Sequence, residues 1–191
     1  MREKLLLVGA GGFGRVVLEH AQQIFGCAFV DDGYEPGAII NGAEVVGKVG
    51  DIARLFGEYQ KLVVVIGNNT LREKVYKEAA AIGYDFPNII VSSAYISPYA
   101  TIGTGCIILN NAVVQSNAKV GNGVILNAGV EVHLDSVVDD YVLIYTNSVV
   151  RTHAHVGRRA HIGSTLTIGN HVTVPEDGIV SAGLQRPFER S

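Results

Sequence analysis

At 191 residues, 48% hydrophobic and 17% charged with a formal charge of −3, the chain has the make-up of a soluble globular protein holding one large domain or two small ones. That balance lacks the basic footprint of a nucleic-acid binder, and no stretch approaches a membrane span. The opening apolar run is too short for a signal peptide, so a cytoplasmic protein is expected. Cys27 and Cys106 fit no metal or redox spacing; reduced structural thiols and no metal site are expected.

In chain order, "KLLLVGA" reads as a short buried strand that ends in glycines. "GRVVLEHAQQIFG" follows with helical spacing that puts Val16, Val17, His20, Ala21 and Ile24 on one side, and Gly26 is a plausible stop. "CAFVDD" reads as a second strand, "DIARLFGEY" as a short helix and "KLVVVIGNN" as a buried strand. "TLREKVYKEAAAIG" reads as a helix with Thr70 as its cap and Glu73 completing a capping box. Strand and helix alternating in this way imply a small parallel α/β sheet over residues 1–88.

From Ile90 the rhythm changes. Every sixth residue from Ile90 to Val174 is Ile, Val or Leu, fifteen in all, with no insertion. Four residues after each comes mostly a small or β-branched side chain, such as Ala112, Ala118, Ser136 and Ala154. This is the hexapeptide pattern of a left-handed parallel β-helix, in which three hexads close one triangular coil of 18 residues. Burying each aliphatic contributes roughly 1.5–3 kcal/mol before ordering costs, and a single coil cannot bury its own, so the coils must stack. The expected architecture is therefore a Rossmann-like α/β domain, 1–88, followed by an all-β hexapeptide β-helix, 89–191.

"GAGGFG" places Gly9, Gly11 and Gly14 in a G-x-G-x-x-G pattern between a strand and a helix. Glycines there let backbone N–H groups approach a phosphate at the helix N-terminus, and Asp31 stands where an acid would hold a ribose hydroxyl. The α/β part is too short for a full dinucleotide fold, so a single nucleotide or a nucleotide-linked sugar suits it better than NAD. The plainer alternative is a tight strand-to-helix turn with no ligand.

The markers "LLLVGAGGFGRVVLEHA", "FVDDGY", "INGAEVVG", "VVVIGNNTLREKVY" and "GVILNAGVEVHLDSVVDDYVLI" together resemble the bacterial sugar O-/N-acyltransferase family. The resemblance covers nearly the whole chain. It implies an acetyl-CoA-dependent transfer to a nucleotide-linked amino sugar, a homotrimer, and acetyl-CoA lying along the β-helix between subunits. It also implies sugar-nucleotide contacts at Gly11, Gly12, Phe13, Asp31, Asp32 and Gly67, with Asn68, Asn69 and Arg72 as further polar candidates. Leu143, Ser164 and Ala182 would lie along the acetyl-CoA site, and Arg158 and Arg159 could meet CoA phosphates or form a solvated corner. "VSAGLQRPFERS" follows the last coil where family members generally continue with further turns, which implies a shorter wall for CoA.

The family's general base is a histidine preceded by a glutamate and followed by an acid. Here the unbroken hexads set His133 in the glutamate's place, Leu134 in the histidine's, and Asp135 in the acid's, while Leu143 replaces a second histidine associated with acetyl-CoA. Leucine has no lone pair to accept a proton. Adjacent residues of an extended segment point to opposite sides, so His133 is expected to diverge from the missing base unless a corner re-aims it. Counting one coil onward stacks Asp135 under His153 and His133 under Arg151. The expectation is that His133 or His153, oriented by Asp135, serves as base. The alternatives are that both are solvated face residues, and that the chain is a catalytically impaired sugar-nucleotide binder with a partner or regulatory role. His155 and His161 close successive hexads, project from different faces and suit solvent, a contact between subunits or CoA phosphates, and His171 is expected at the surface.

Overall fold

A computed structural model describes residues 2–181. The leading part is a five-stranded sheet in the order β3-β4-β2-β1-β5, built from β1 (Lys4–Val8), β2 (Gly26–Val30), β3 (Ile39–Ile40), β4 (Ala43–Gly47) and β5 (Lys61–Val64). All pairs are parallel except β3 with β4, an antiparallel hairpin at the edge that the sequence reading did not resolve. Helices α1 (Gly12–Ala21), α2 (Ile52–Leu55) and α3 (Asn69–Ile82) cover it. "LLLV" is a continuous apolar run because both sides of β1 are buried: Leu5 and Leu7 pack towards α1, and Leu6 and Val8 pack with α2 and α3.

Two helical expectations need correction. The buried stripe of α1 is Gly14, Val17, Leu18 and Ala21, a complete i, i+3, i+4, i+7 set, whereas Val16 and Ile24 are exposed and Gly26 opens β2. Helix α3 is capped by Asn68, whose side chain accepts from the Leu71 N–H at 2.9 Å, and not by Thr70. Glu73 is thereby free of any capping role and turns to the β-helix.

Sixteen two-residue strands, β6 (Ile89–Ile90) to β21 (Ile179–Val180), wind a left-handed three-faced prism. Partners lie 18 residues apart throughout, as in Val114 with Val132 and Val132 with Val150. The inward aliphatics from Ile108 to Val174, with the small corner residues Cys106, Ala112, Ala118, Ala154 and Ala160, form one core. Val180 extends the six-residue beat one rung past the last position read from sequence.

A second six-residue beat marks the corners. Residues 105, 111, 117 and every sixth position to 177 have φ between 55° and 69°. Glycine, asparagine and aspartate tolerate that left-handed conformation, and they fill the early corners; Tyr141, His153, Arg159, Thr165 and His171 carry it at greater cost.

One prism face packs on the α/β sheet. Its outward residues Ile89, Ile107, Ile125 and Leu143 share a core with Leu5, Leu7, Val17, Ala21 and Phe29. Along the adjoining corner α3 binds the prism through buried polar contacts. Arg72, wholly buried, donates to the carbonyl oxygens of Gly123 (3.0 Å), Ile66 (2.9 Å) and Tyr141 (2.6 Å), and burial holds its guanidinium down to about 10. Asn69 donates to the carbonyls of Arg159 and Ala160, and the Tyr76 hydroxyl donates to Gly105.

Candidate active site

The glycine loop lies where the sheet order reverses. From β1 the chain goes to β2 on one side and later returns to β5 on the other, so the loop after β1 and the Gly67–Asn68 turn after β5 border one crevice at the carboxyl ends of the strands. The glycines there divide by physical need. A Cβ on Gly14 would stand 2.0 Å from the Gly9 carbonyl oxygen, and Gly9 itself has φ +112°, so both are demanded by the turn. A Cβ on Gly11, Gly12 or Gly67 would meet nothing within 4 Å. Packing does not require those three, and a side chain at any of them would enter open space. Gly11 caps α1 without a side-chain bond, which leaves the first-turn amides of the helix to an anion.

Asp31 has a structural duty that the sequence did not disclose: its carboxylate accepts from the N–H groups of Ala10 and Gly33, each at 2.7 Å. It ties the glycine loop to the end of β2. Asp32 is exposed and accepts from the Val49 N–H, and Phe13 is half-buried against the α1-side core. Asn69 and Arg72, expected near the sugar nucleotide, point instead into the junction with the prism, because their donors are the partners of its corner carbonyls.

Arg158 and Arg159 belong to the same junction. Both bond Glu73, Arg158 at close range and Arg159 at 2.8 Å, and Arg159 also binds Glu176 and Asp177. They form neither a solvated corner nor a free phosphate clamp. Burial raises the Glu73 carboxyl, but hydrogen bonds from Lys77 and Arg159 and the charge of Arg158 outweigh it and hold it down at about 2.

At the coil that carries Leu134 the strand ends at Val132 and the left-handed corner falls at Asp135; His133 is half-buried and Leu134 is 39% exposed. Asp135 and His153 occupy successive left-handed corners, as the coil count requires, with Oδ2 and Nε2 4.0 Å apart. The His153 ring lies stacked on His171 at 4.9 Å. His133 has a different partner from the one expected: its Nε2 is 2.9 Å from Glu131 Oε2, not near Asp135. Beside this corner lies a cleft of about 400 Å³ lined by Tyr99, Thr101, Asn117, Lys119, Asp135 and Val137.

Of the remaining candidates, Ser164 is exposed on the prism. Leu143 is only 2% exposed and is sealed under the α/β sheet, so its side chain offers no surface to a cofactor. Ala182 lies outside the described residues. His155 bonds Asp139 at 2.8 Å, and His161 lies against Tyr145. Among the described residues, no group of three or more His, Cys, Asp and Glu side chains is arranged to hold a metal, and no helix is long and apolar enough to cross a membrane.

A glycine-loop α/β layer fused to a hexapeptide left-handed β-helix defines the class, and comparison with known proteins narrows it. Residues 4–79 match the PglD N-terminal domain. The whole chain is similar to the acetyltransferase domain of PglB from Neisseria gonorrhoeae FA1090, solved in complex with acetyl coenzyme A, with 32% identity and a TM-score of 0.89 over 96% of this chain and 90% of that one. It is also similar to GDP-perosamine N-acetyl transferase from Caulobacter crescentus, solved with CoA and GDP-perosamine, with 26% identity and a TM-score of 0.68 over 93% of this chain and 88% of that one. An uncharacterised protein of Acanthamoeba polyphaga mimivirus is 28% identical over 125 residues, 61% of this chain, and the chain spans 23% of that relative's length. The chain belongs to the bacterial sugar O-/N-acyltransferase family.

Proposed function

We propose that this protein transfers an acetyl group from acetyl-CoA to a nucleotide-linked amino sugar or a related surface-glycan sugar. One observation carries the reading: near-complete similarity, at 32% identity, to an acetyltransferase domain that holds acetyl coenzyme A. The bare backbone of Gly11, Gly12 and Gly67 supports a nucleotide-linked acceptor, with Phe13, Asp31 and Asp32 at the same crevice, and the Caulobacter neighbour was solved with such a sugar.

The acceptor nitrogen or oxygen attacks the thioester carbonyl, a C–N or C–O bond forms, and the C–S bond breaks. The acceptor's proton passes to a base and then to the departing thiolate, while backbone N–H groups stabilise the oxyanion. His133, His153 and Asp135 are the candidate groups for the proton. We further propose a homotrimer acting in the cytoplasm, with residues 1–88 binding the nucleotide sugar and 89–191 forming the acyltransferase half. Acetyl-CoA would run along the prism past Ser164.

The test is a panel of nucleotide-linked 4-amino sugars, GDP-perosamine among them, incubated with acetyl-CoA and followed by thiol release and by the mass of the acetylated sugar. Absence of turnover across the panel refutes the reading. Exposed Leu134 in the base's place favours a second reading, a sugar-nucleotide binder that has lost catalysis. Under it nucleotide sugars raise the melting temperature and acetyl-CoA does not.

A further inference from the structure

We propose that Glu131 is the positioning residue of the base. It accepts the Nε2–H of His133 and so leaves Nδ1 of that ring to take the acceptor's proton. The inference rests on the acyl-transfer reading and deepens it.

Glu131 and His133 are two apart on an extended segment and flank the inward Val132, so both side chains leave the same prism face and meet at 2.9 Å. That is hydrogen-bond distance; the 4.0 Å between His153 and Asp135 is not. The two pairs also differ in why their residues are there. Asp135 and His153 stand at left-handed corners, and aspartate is among the few residues that accept such a corner readily, so a carboxylate at 135 has a backbone explanation. No such demand acts on positions 131 and 133, where the backbone is ordinary strand and its edge.

The backbone that carries the imidazole is hydrogen-bonded on both sides. The His133 N–H donates to the Val150 carbonyl at 2.9 Å, and its own carbonyl accepts from the Ser136 hydroxyl. The next N–H, of Leu134, donates to the Gln115 side chain at 3.1 Å. The ring is 22% exposed, against 47% for His153. Arg151, one coil onward, donates to Asn170, so among the described residues His133 is the one charged or titratable partner of Glu131. A carboxylate on the far nitrogen holds an imidazole in one tautomer and stabilises the cation formed when the near nitrogen takes a proton. In the proposed step that proton leaves the attacking amine as the C–N bond closes, and it goes on to the CoA thiolate as the C–S bond opens. With leucine in the family base's place, the neighbouring position supplies the imidazole and the carboxylate lies two residues before it.

Long-range proton–nitrogen correlation spectra of the full chain, with the His133 signals assigned through His133→Gln, read the tautomer directly. The expected result is Nε2–H for His133, loss of that preference in Glu131→Ala, and its retention in Asp135→Asn. With acetyl-CoA and GDP-perosamine as probes, Glu131→Gln lowers kcat about tenfold with KM for acetyl-CoA unchanged, a fraction of the 10²–10⁴ that a general base contributes. A ring protonated on Nδ1, or a tautomer indifferent to Glu131→Ala, overturns the proposal. A chain that releases no thiol overturns the acyl-transfer reading instead, and the tautomer still decides the role of Glu131.

Discussion

Removing the charge of Glu73 tests how the α/β layer is held to the prism. The side chain is 8% exposed and bonds Lys77, Arg158 and Arg159. Its carboxyl is held at about 2 against an ordinary 4.5, and at about 1.4 kcal/mol per pH unit this is worth about 3 kcal/mol of folding stability at neutral pH. Because the folded value is depressed, the contribution is complete above pH 4.5 and is lost as pH falls towards 2. For a chain of this size 1 kcal/mol corresponds to about 2–4 °C, so Glu73→Gln is expected to lower Tm at pH 7 by about 6–12 °C. Thermal unfolding of the two chains across pH 7 to 2.5 is the assay, and the gap should close at the acid end. A gap that is the same at both ends, or absent at pH 7, means that the carboxylate's charge does not hold the junction.

Gly14→Ala forces a Cβ against the Gly9 carbonyl and is expected to destabilise the chain by at least 1–3 kcal/mol, roughly the cost of overpacking, in urea titrations. Gly11→Ala and Gly12→Ala meet no neighbour and should leave Tm within about 1 °C while weakening nucleotide-sugar binding by calorimetry. Arg72→Met strips the donors from buried carbonyls of Gly123, Ile66 and Tyr141 and should cost about 3–5 kcal/mol, read by the same titrations. Acetyl-CoA at one hundred times its dissociation constant should add about 2.7 kcal/mol of stability in the same assay, and a chain that ignores it favours the binder reading.

The hexapeptide prism was legible because one residue in six must be aliphatic and nothing else can fill that place. The corner beat was equally present in the letters, as Gly105, Asn111, Asn117, Gly123 and Gly129, but it fades where Tyr141, His153 and Thr165 take the left-handed corner on the strength of the surrounding stack. Long-range polar partners were beyond reach. Arg72 reads as a polar candidate near the nucleotide and Glu73 as part of a capping box, and only the packing of α3 on the prism turns one into a buried donor and the other into an ion-pair hub. The part Asp31 plays in the fold was equally hidden, since its carboxylate accepts from the backbone N–H groups of Ala10 and Gly33 across the glycine loop and the end of β2. Glu131 could have been found, as an acid two residues before a histidine on a strand has few other places to reach.

Helix α3 also ties the α/β layer to the prism. Its N-terminus carries the Gly67–Asn68 turn at the crevice, while Asn69, Arg72, Glu73 and Tyr76 on its first two turns engage the prism corner at Gly105, Gly123, Tyr141 and Arg159. Under the proposed function, a sugar nucleotide at Gly67 is tied through this corner to the prism, whose next corner, through positions 117, 135 and 153, carries Asp135. Loosening α3 should misplace the acceptor without touching it. Glu73→Gln is therefore expected to raise KM for the nucleotide sugar more than KM for acetyl-CoA under conditions where the chain stays folded. Equal effects on the two constants would mean that the helix stabilises the fold but does not register the acceptor against the prism.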